Sequence, residues 1–168
     1  MVILEEHNPQ WEQAASYAIG LIKGILKEDV LDIQHVGSTA IKYIAAKPII
    51  DIAVGTMDFD KILLHKTELE ENGIIFRGND QPEQLLFVMG DFHNDTRTHH
   101  IHVVKYMEKQ WNNYIAFRDY FNGNEEIAKE YEALKMELTR KYPDDRISYT
   151  EGKKEFILRI LEEAVMEY

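Results

Sequence analysis

A chain of 168 residues, 45% hydrophobic and 29% charged, is long enough to bury a sizeable core and is expected to form one soluble domain over 1–168. Its net charge of −11, with basic residues scattered among acids, excludes a protein that tracks extended nucleic acid, and the lack of cysteine excludes disulfides, thiolate catalysis and Cys-based zinc sites. No apolar run reaches the length of a membrane span, and "MVILEEHNPQ" carries acids where an export signal carries Lys or Arg, so a cytoplasmic location is expected.

In chain order, Asn8 and Pro9 suit the start of a helix whose face runs through Trp11, Ala14, Ala15, Ala18, Leu21, Ile22 and Ile25. "VLDIQHV" (Val30–Val36) reads as a strand and "STAIKYIA" as a brief helix or turn. "KPIIDIAV" is the strongest strand, with Pro48 tolerated at its start. Asp58 caps a helix bearing Phe59, Ile62, Leu63 and Leu69, which ends at Asn72-Gly73. "GIIFRG" and "EQLLFVMG" read as strands, "GDFHNDTR" as a loop, and His99–Lys105 as a further strand. After Glu108 the pattern is helical: a helix with Trp111, Tyr114, Ile115 and Phe121, one with Ile127, Tyr131, Leu134 and Leu138, and a last one with Phe156, Ile157, Ile160, Leu161, Ala164 and Val165. Ser148 and Glu151 have the spacing of a capping box for that last helix. Strands that do not alternate strictly with helices predict an α+β fold, a mixed sheet followed by a C-terminal helical cluster.

A strand running into Gly37-Ser38, a short helix, and a strand bearing Asp51 resembles the skeleton of the nucleotidyltransferase superfamily typified by DNA polymerase β. Through "NPQW", "HVGSTAIKYIAAKPIIDIAV", "RTHHIHVV", "WNNYIAFRDYF", "YEALKMEL" and "YTEGKKEFI" the chain resembles one branch of it over nearly its full length, the GrpB family (glutamate-rich protein B), which has no established activity. The resemblance implies phosphate held at Gly37 and Ser38, where backbone N–H groups at a helix start favour an anion. It also implies divalent metal on the next strand, with Asp51 as the catalytic carboxylate. The superfamily pairs two acids on one strand face, and side chains two apart share a face, but residue 53 is Ala53. Standard two-cation nucleotidyl transfer would lack most of its carboxylates.

An isolated carboxylate in a strand is costly unless something meets its charge. His100 and His102 are two apart and share a strand face, with His99 opposite. Facing Asp51 they make a metal set of Asp51, His100 and His102, and imidazole predicts a transition ion such as zinc over Mg²⁺. The competing reading is a polar pair on an exposed sheet face. His35 is a fourth ligand, a substrate contact or a hydrogen-bonded structural residue.

Lys47 precedes the Asp51 strand and pairs with that acid, with a ligand phosphate or with solvent. Arg97 suits bidentate binding of phosphate or carboxylate, against a surface salt bridge. Lys153, in the first turns of the last helix, opposes the helix dipole and makes sense facing an anion. Trp111, Tyr114, Phe117 and Phe121 read as packing residues, with base stacking as the alternative. The resulting expectation is a protein that binds a nucleotide or other phosphorylated small molecule with a divalent cation. Turnover by phosphoryl or nucleotidyl transfer or by metal-dependent phosphoester hydrolysis, a non-catalytic binding or regulatory domain, and a protein-interaction module all remain open.

Overall fold

The structure, a computed structural model, describes residues 2–79, 81 and 83–166. Five strands, β1 (Asp32–Val36), β2 (Ile50–Thr56), β3 (Ile75–Phe76), β4 (Gln84–Asp91) and β5 (Thr96–Lys105), form one mixed sheet in the order β1-β2-β5-β4-β3. Among the described residues only the β2–β5 pair is parallel. The α+β class expected from the element order is therefore the one observed.

Helix α1 (Gln10–Leu26) covers one sheet face with Trp11, Ala15, Ala18, Ile22 and Ile25, spaced alternately by four and three residues. These pack on Ile50, Ile52 and Val54 of β2 and on Ile101 and Val103 of β5. The single helix expected after Asp58 is two short ones, α2 (Phe59–Leu63) and α3 (Lys66–Glu71). The chain turns between them at Leu64-His65, where the His65 ring is tied to Asp29 at 2.8 Å.

Helices α4 (Lys109–Gly123), α5 (Glu125–Lys141) and α6 (Arg146–Met166) lie on the other side. Trp111 packs with Val36, Ala53 and Val104 beneath α4, while Phe121, Tyr131 and Ile160 join the three helices to Ile41 and Ile44. Two sequence expectations are corrected here. The inner face of α5 runs Ala128, Tyr131, Lys135, Leu138, so a lysine stands where Leu134 was expected. Helix α6 starts earlier than the Ser148/Glu151 spacing suggested, because Asp145 does the capping: its carboxylate accepts from Ser148 N at 3.0 Å and from Ser148 Oγ at 2.6 Å. Lys153 therefore lies beyond the first turn, on the inward face that also carries Phe156, Ile160 and Ala164.

Candidate functional site

The parallel pairing of β2 with β5 sets Asp51 opposite His100 and Ala53 opposite His102. Asp51, His100 and His102 thus share the face turned towards the C-terminal helices, and His99 lies on the other, with its ring bonded to the Ala14 carbonyl of α1 at 3.1 Å. His35 bonds Thr39 Oγ1 at 2.9 Å, and burial pushes its imidazole down to about 4, so it is a neutral structural group.

The charge of Asp51 is met by a hydrogen-bond chain. The carboxamide of Gln84 has one donor, Nε2, and it lies 3.2 Å from His102 Nδ1. That nitrogen must accept, so the proton sits on Nε2 and is donated to Asp51 Oδ1 at 2.9 Å. Behind Gln84, the Tyr114 hydroxyl donates to its Oε1 at 2.9 Å, and the Tyr114 ring stacks on His102 at 5.1 Å. Sequence reasoning missed Gln84 and read Tyr114 as simple packing. The signal for Gln84 was a glutamine at the start of an apolar strand.

The expected three-donor centre of Asp51, His100 and His102 is not preassembled in the structure. Both ring nitrogens of His102 are engaged, the His100 and His102 rings stand at 90° with centroids 6.3 Å apart, and no cluster of three or more His, Cys, Asp or Glu side chains among the described residues is placed to hold a metal ion. Position 53, where a second strand carboxylate would sit, is fully buried against Val36, Val104 and Trp111.

The other side of the Asp51 carboxylate faces the Gly-Ser turn. Gly37 has φ +74° and ψ −171°, a region essentially limited to glycine, and a Cβ there would collide with Asp51 Oδ2. The brief helix or turn expected after it is one 3₁₀ turn, Ser38–Ala40. Without a long helix there is no macrodipole to invoke, and a binding role for this turn rests on its own groups.

Asp51, Ser38 and His100 line a cavity of about 150 Å³ between β2 and the helices, together with Lys47, Lys135, Tyr149 and Lys153. Lys135 is 2% exposed, donates to the Ala45 carbonyl at 2.7 Å and lies 4.7 Å from the Tyr131 ring centroid. Burial, reinforced by the repulsion of Lys153, pushes its amine down to about 7. Burial with the repulsion of Lys47 holds Lys153 at about 8, and burial with nearby Arg146 lowers Lys47. The Tyr149 ring sits between Lys153 and Lys47, at 4.7 and 5.3 Å. Tyr149 is 0% exposed, yet its hydroxyl has no hydrogen-bond partner among the described residues, and neither does the buried Nε2 of His100.

The structure thus brings together Gly37, Ser38, Lys47, Asp51, His100, His102 and Lys153 of the residues singled out in the sequence. Arg97 lies apart, in an adjoining cleft. Lys135 and Tyr149 were missed; the legible signal for Lys135 was its place four residues after Tyr131 and three before Leu138 on an apolar helix face.

A sequence model of the GrpB protein family matches residues 1–163. The glutamate-rich protein GrpB of Alkalihalophilus pseudofirmus is 43% identical, over 96% of this chain and 95% of that protein. A crystal structure of the conserved protein GrpB from Enterococcus faecalis superposes with a TM-score of 0.91 at 33% identity, covering 99% of each chain. The Cid1 poly(U) polymerase, solved with MgGTP bound, matches at a TM-score of 0.57 and 12% identity, over 80% of this chain and 44% of that one, a likeness of fold.

Proposed function

From the premise that this chain belongs to the GrpB family and carries a nucleotidyltransferase-like fold, we propose that it binds a nucleotide or other phosphorylated small molecule, with the phosphoryl group in the cavity beside Asp51. The observation that carries this reading is a small polar cavity in which three amines converge while the Tyr149 hydroxyl and His100 Nε2 are buried without partners. Native interiors rarely leave such groups unsatisfied, and a phosphate supplies the acceptors that amines, a phenol and a protonated imidazole nitrogen require. Ser38 lines the same cavity as the lysines. Lys135, Lys153, Lys47, Tyr149 and His100 would hold the oxygens, and Asp51, fixed by His102, would orient the ligand.

The residues fit a divalent cation escorted by the ligand better than one caged by protein. Asp51 offers one free oxygen and Ala53 none, a set that suits Mg²⁺ shared with ligand phosphates. Such an ion would neutralise phosphate charge. A second reading, binding without turnover, is favoured by Ala53, because a buried alanine leaves no place for the second metal carboxylate that transfer chemistry uses.

Isothermal titration with nucleoside mono-, di- and triphosphates and sugar phosphates tests the reading, each with Mg²⁺ and with chelator. Millimolar or tighter binding is expected, weakened at least tenfold in Tyr149→Phe with Lys153→Met and blocked in Ser38→Leu. No binding by any phosphorylated compound at millimolar concentration would overturn it. ³¹P spectra of the same mixtures over hours separate turnover from binding alone.

A further inference from the structure

Beside the inner cavity opens a cleft of about 680 Å³, and the two share Lys47, Ile49 and His100 as a common wall. The inner space, about 150 Å³, admits a phosphoryl group but not that group together with the rest of a nucleotide or sugar phosphate. The rest of a ligand anchored there must lie in the outer cleft, whose size is that of an ordinary small-molecule site.

The outer wall has a distinct chemistry. Arg97 comes from the start of β5 and Arg146 from the first residue of α6. Neither guanidinium has a hydrogen-bond or ion-pair partner among the described residues. Both project their fields onto the shared wall: Arg97 disfavours a charged His100, and Arg146 disfavours a charged Lys47. Arg146 also stands at a helix N-terminus, where a cation is unfavourable. Asp95 is the one acid among the described residues that line the cleft, in a chain with a net charge of −11. Among the described residues no aromatic ring other than His100 lines it, so it lacks the aromatic platform on which nucleobases stack. Unpaired guanidinium groups present forked donors matched to phosphate or carboxylate.

We propose that the outer cleft is a second anion subsite, so that the ligand carries two anionic groups: a phosphate in the inner cavity and a phosphate or carboxylate gripped by Arg97 and Arg146, joined by a short non-aromatic linker. This rests on the inner phosphate site proposed above and narrows its ligand class.

The test is isothermal titration of the full chain with inorganic phosphate, pyrophosphate, glycerol 3-phosphate, adenosine monophosphate, and α,ω-alkanediol bisphosphates and ω-phosphoalkanoates with two to six carbons. Pyrophosphate matches the charge of a bisphosphate without its reach. At least one member of the linked series is expected to bind tenfold or more tighter than both glycerol 3-phosphate and pyrophosphate. Arg97→Met with Arg146→Met should erase that advantage and leave inorganic phosphate binding within twofold. If phosphate binds but no linked di-anion gains, or the gain survives in the double variant, the second subsite is wrong and the inner site stands. Adenosine monophosphate binding tighter than every linked di-anion, unchanged in the double variant, would make the cleft a nucleoside pocket and overturn the proposal. Failure of every phosphorylated compound to bind would remove both readings.

Discussion

Replacing Lys135 with methionine isolates what the buried amine does to the fold. Burial takes the group from 10.5 to about 7, so keeping it charged in place costs about 5 kcal/mol, at roughly 1.4 kcal/mol for each pH unit between those values. Methionine of similar length removes that penalty but strands the Ala45 carbonyl, a loss of about 1–3 kcal/mol, which leaves a net gain of about 2 kcal/mol near pH 7. The sign of the pH dependence follows from proton counts. Because the folded value is lowered, between pH 7 and 10.5 the unfolded chain holds the proton that the folded chain has lost, so wild-type stability rises with pH by about 1.4 kcal/mol per unit from this group. Below about pH 7 both states are protonated and the full penalty stands. Urea denaturation of both proteins from pH 6 to 10 should show the methionine variant more stable by a constant margin up to about pH 7. The margin should then shrink and reverse at roughly pH 8 to 9, where the remaining penalty equals the cost of the stranded carbonyl. A margin that does not change with pH, or a variant several kcal/mol less stable at pH 6, would refute the buried-amine reasoning.

Inorganic phosphate should bind more weakly as pH rises from 7 to 9, since Lys135 and Lys153 lose their charge at about 7 and about 8. Binding at pH 8 should take up protons, so its heat should vary with the ionisation enthalpy of the buffer; buffer-independent heat would count against the lysine cluster. Gly37→Ala should lose about 2–3 kcal/mol in urea denaturation, from φ +74° and from a Cβ driven into the Asp51 carboxylate, and should lose ligand-induced thermal stabilisation as well. Gln84→Leu should cost about 1–3 kcal/mol by stranding His102 Nδ1 and the Tyr114 bond. The ¹⁵N shifts of His102 should change from a single Nε2-protonated tautomer to a mixture; an unchanged tautomer would show that Gln84 does not set it.

By itself the sequence determined the local elements. Period-two and period-3.6 patterns mark strands and helices because each buries one side of a regular repeat, and so β2, β5 and the three C-terminal helices were legible to within a few residues. The Gly-Ser turn before the Asp51 strand was legible too, since only glycine tolerates its backbone and the approach of that carboxylate. What those patterns omit is pairing between distant segments. His102 was grouped with a metal because an H-x-H pair shows which side chains share a face and nothing of what stands across from them; Gln84, from the neighbouring strand β4, donates to Nδ1 and so leaves the proton on the Nε2 that faces Asp51. Lys135 was passed over because a charged residue is read as solvent-facing, whereas α5 packs between the loop at Ala45 and α6, where the Ala45 carbonyl and the Tyr131 ring meet its amine. The convergence of Lys47, Lys135 and Lys153 on Asp51 joins the segment before β2 and two helices up to 106 residues apart, and only tertiary packing could decide it, because like charges gather in a low-dielectric cavity only when the fold holds them there.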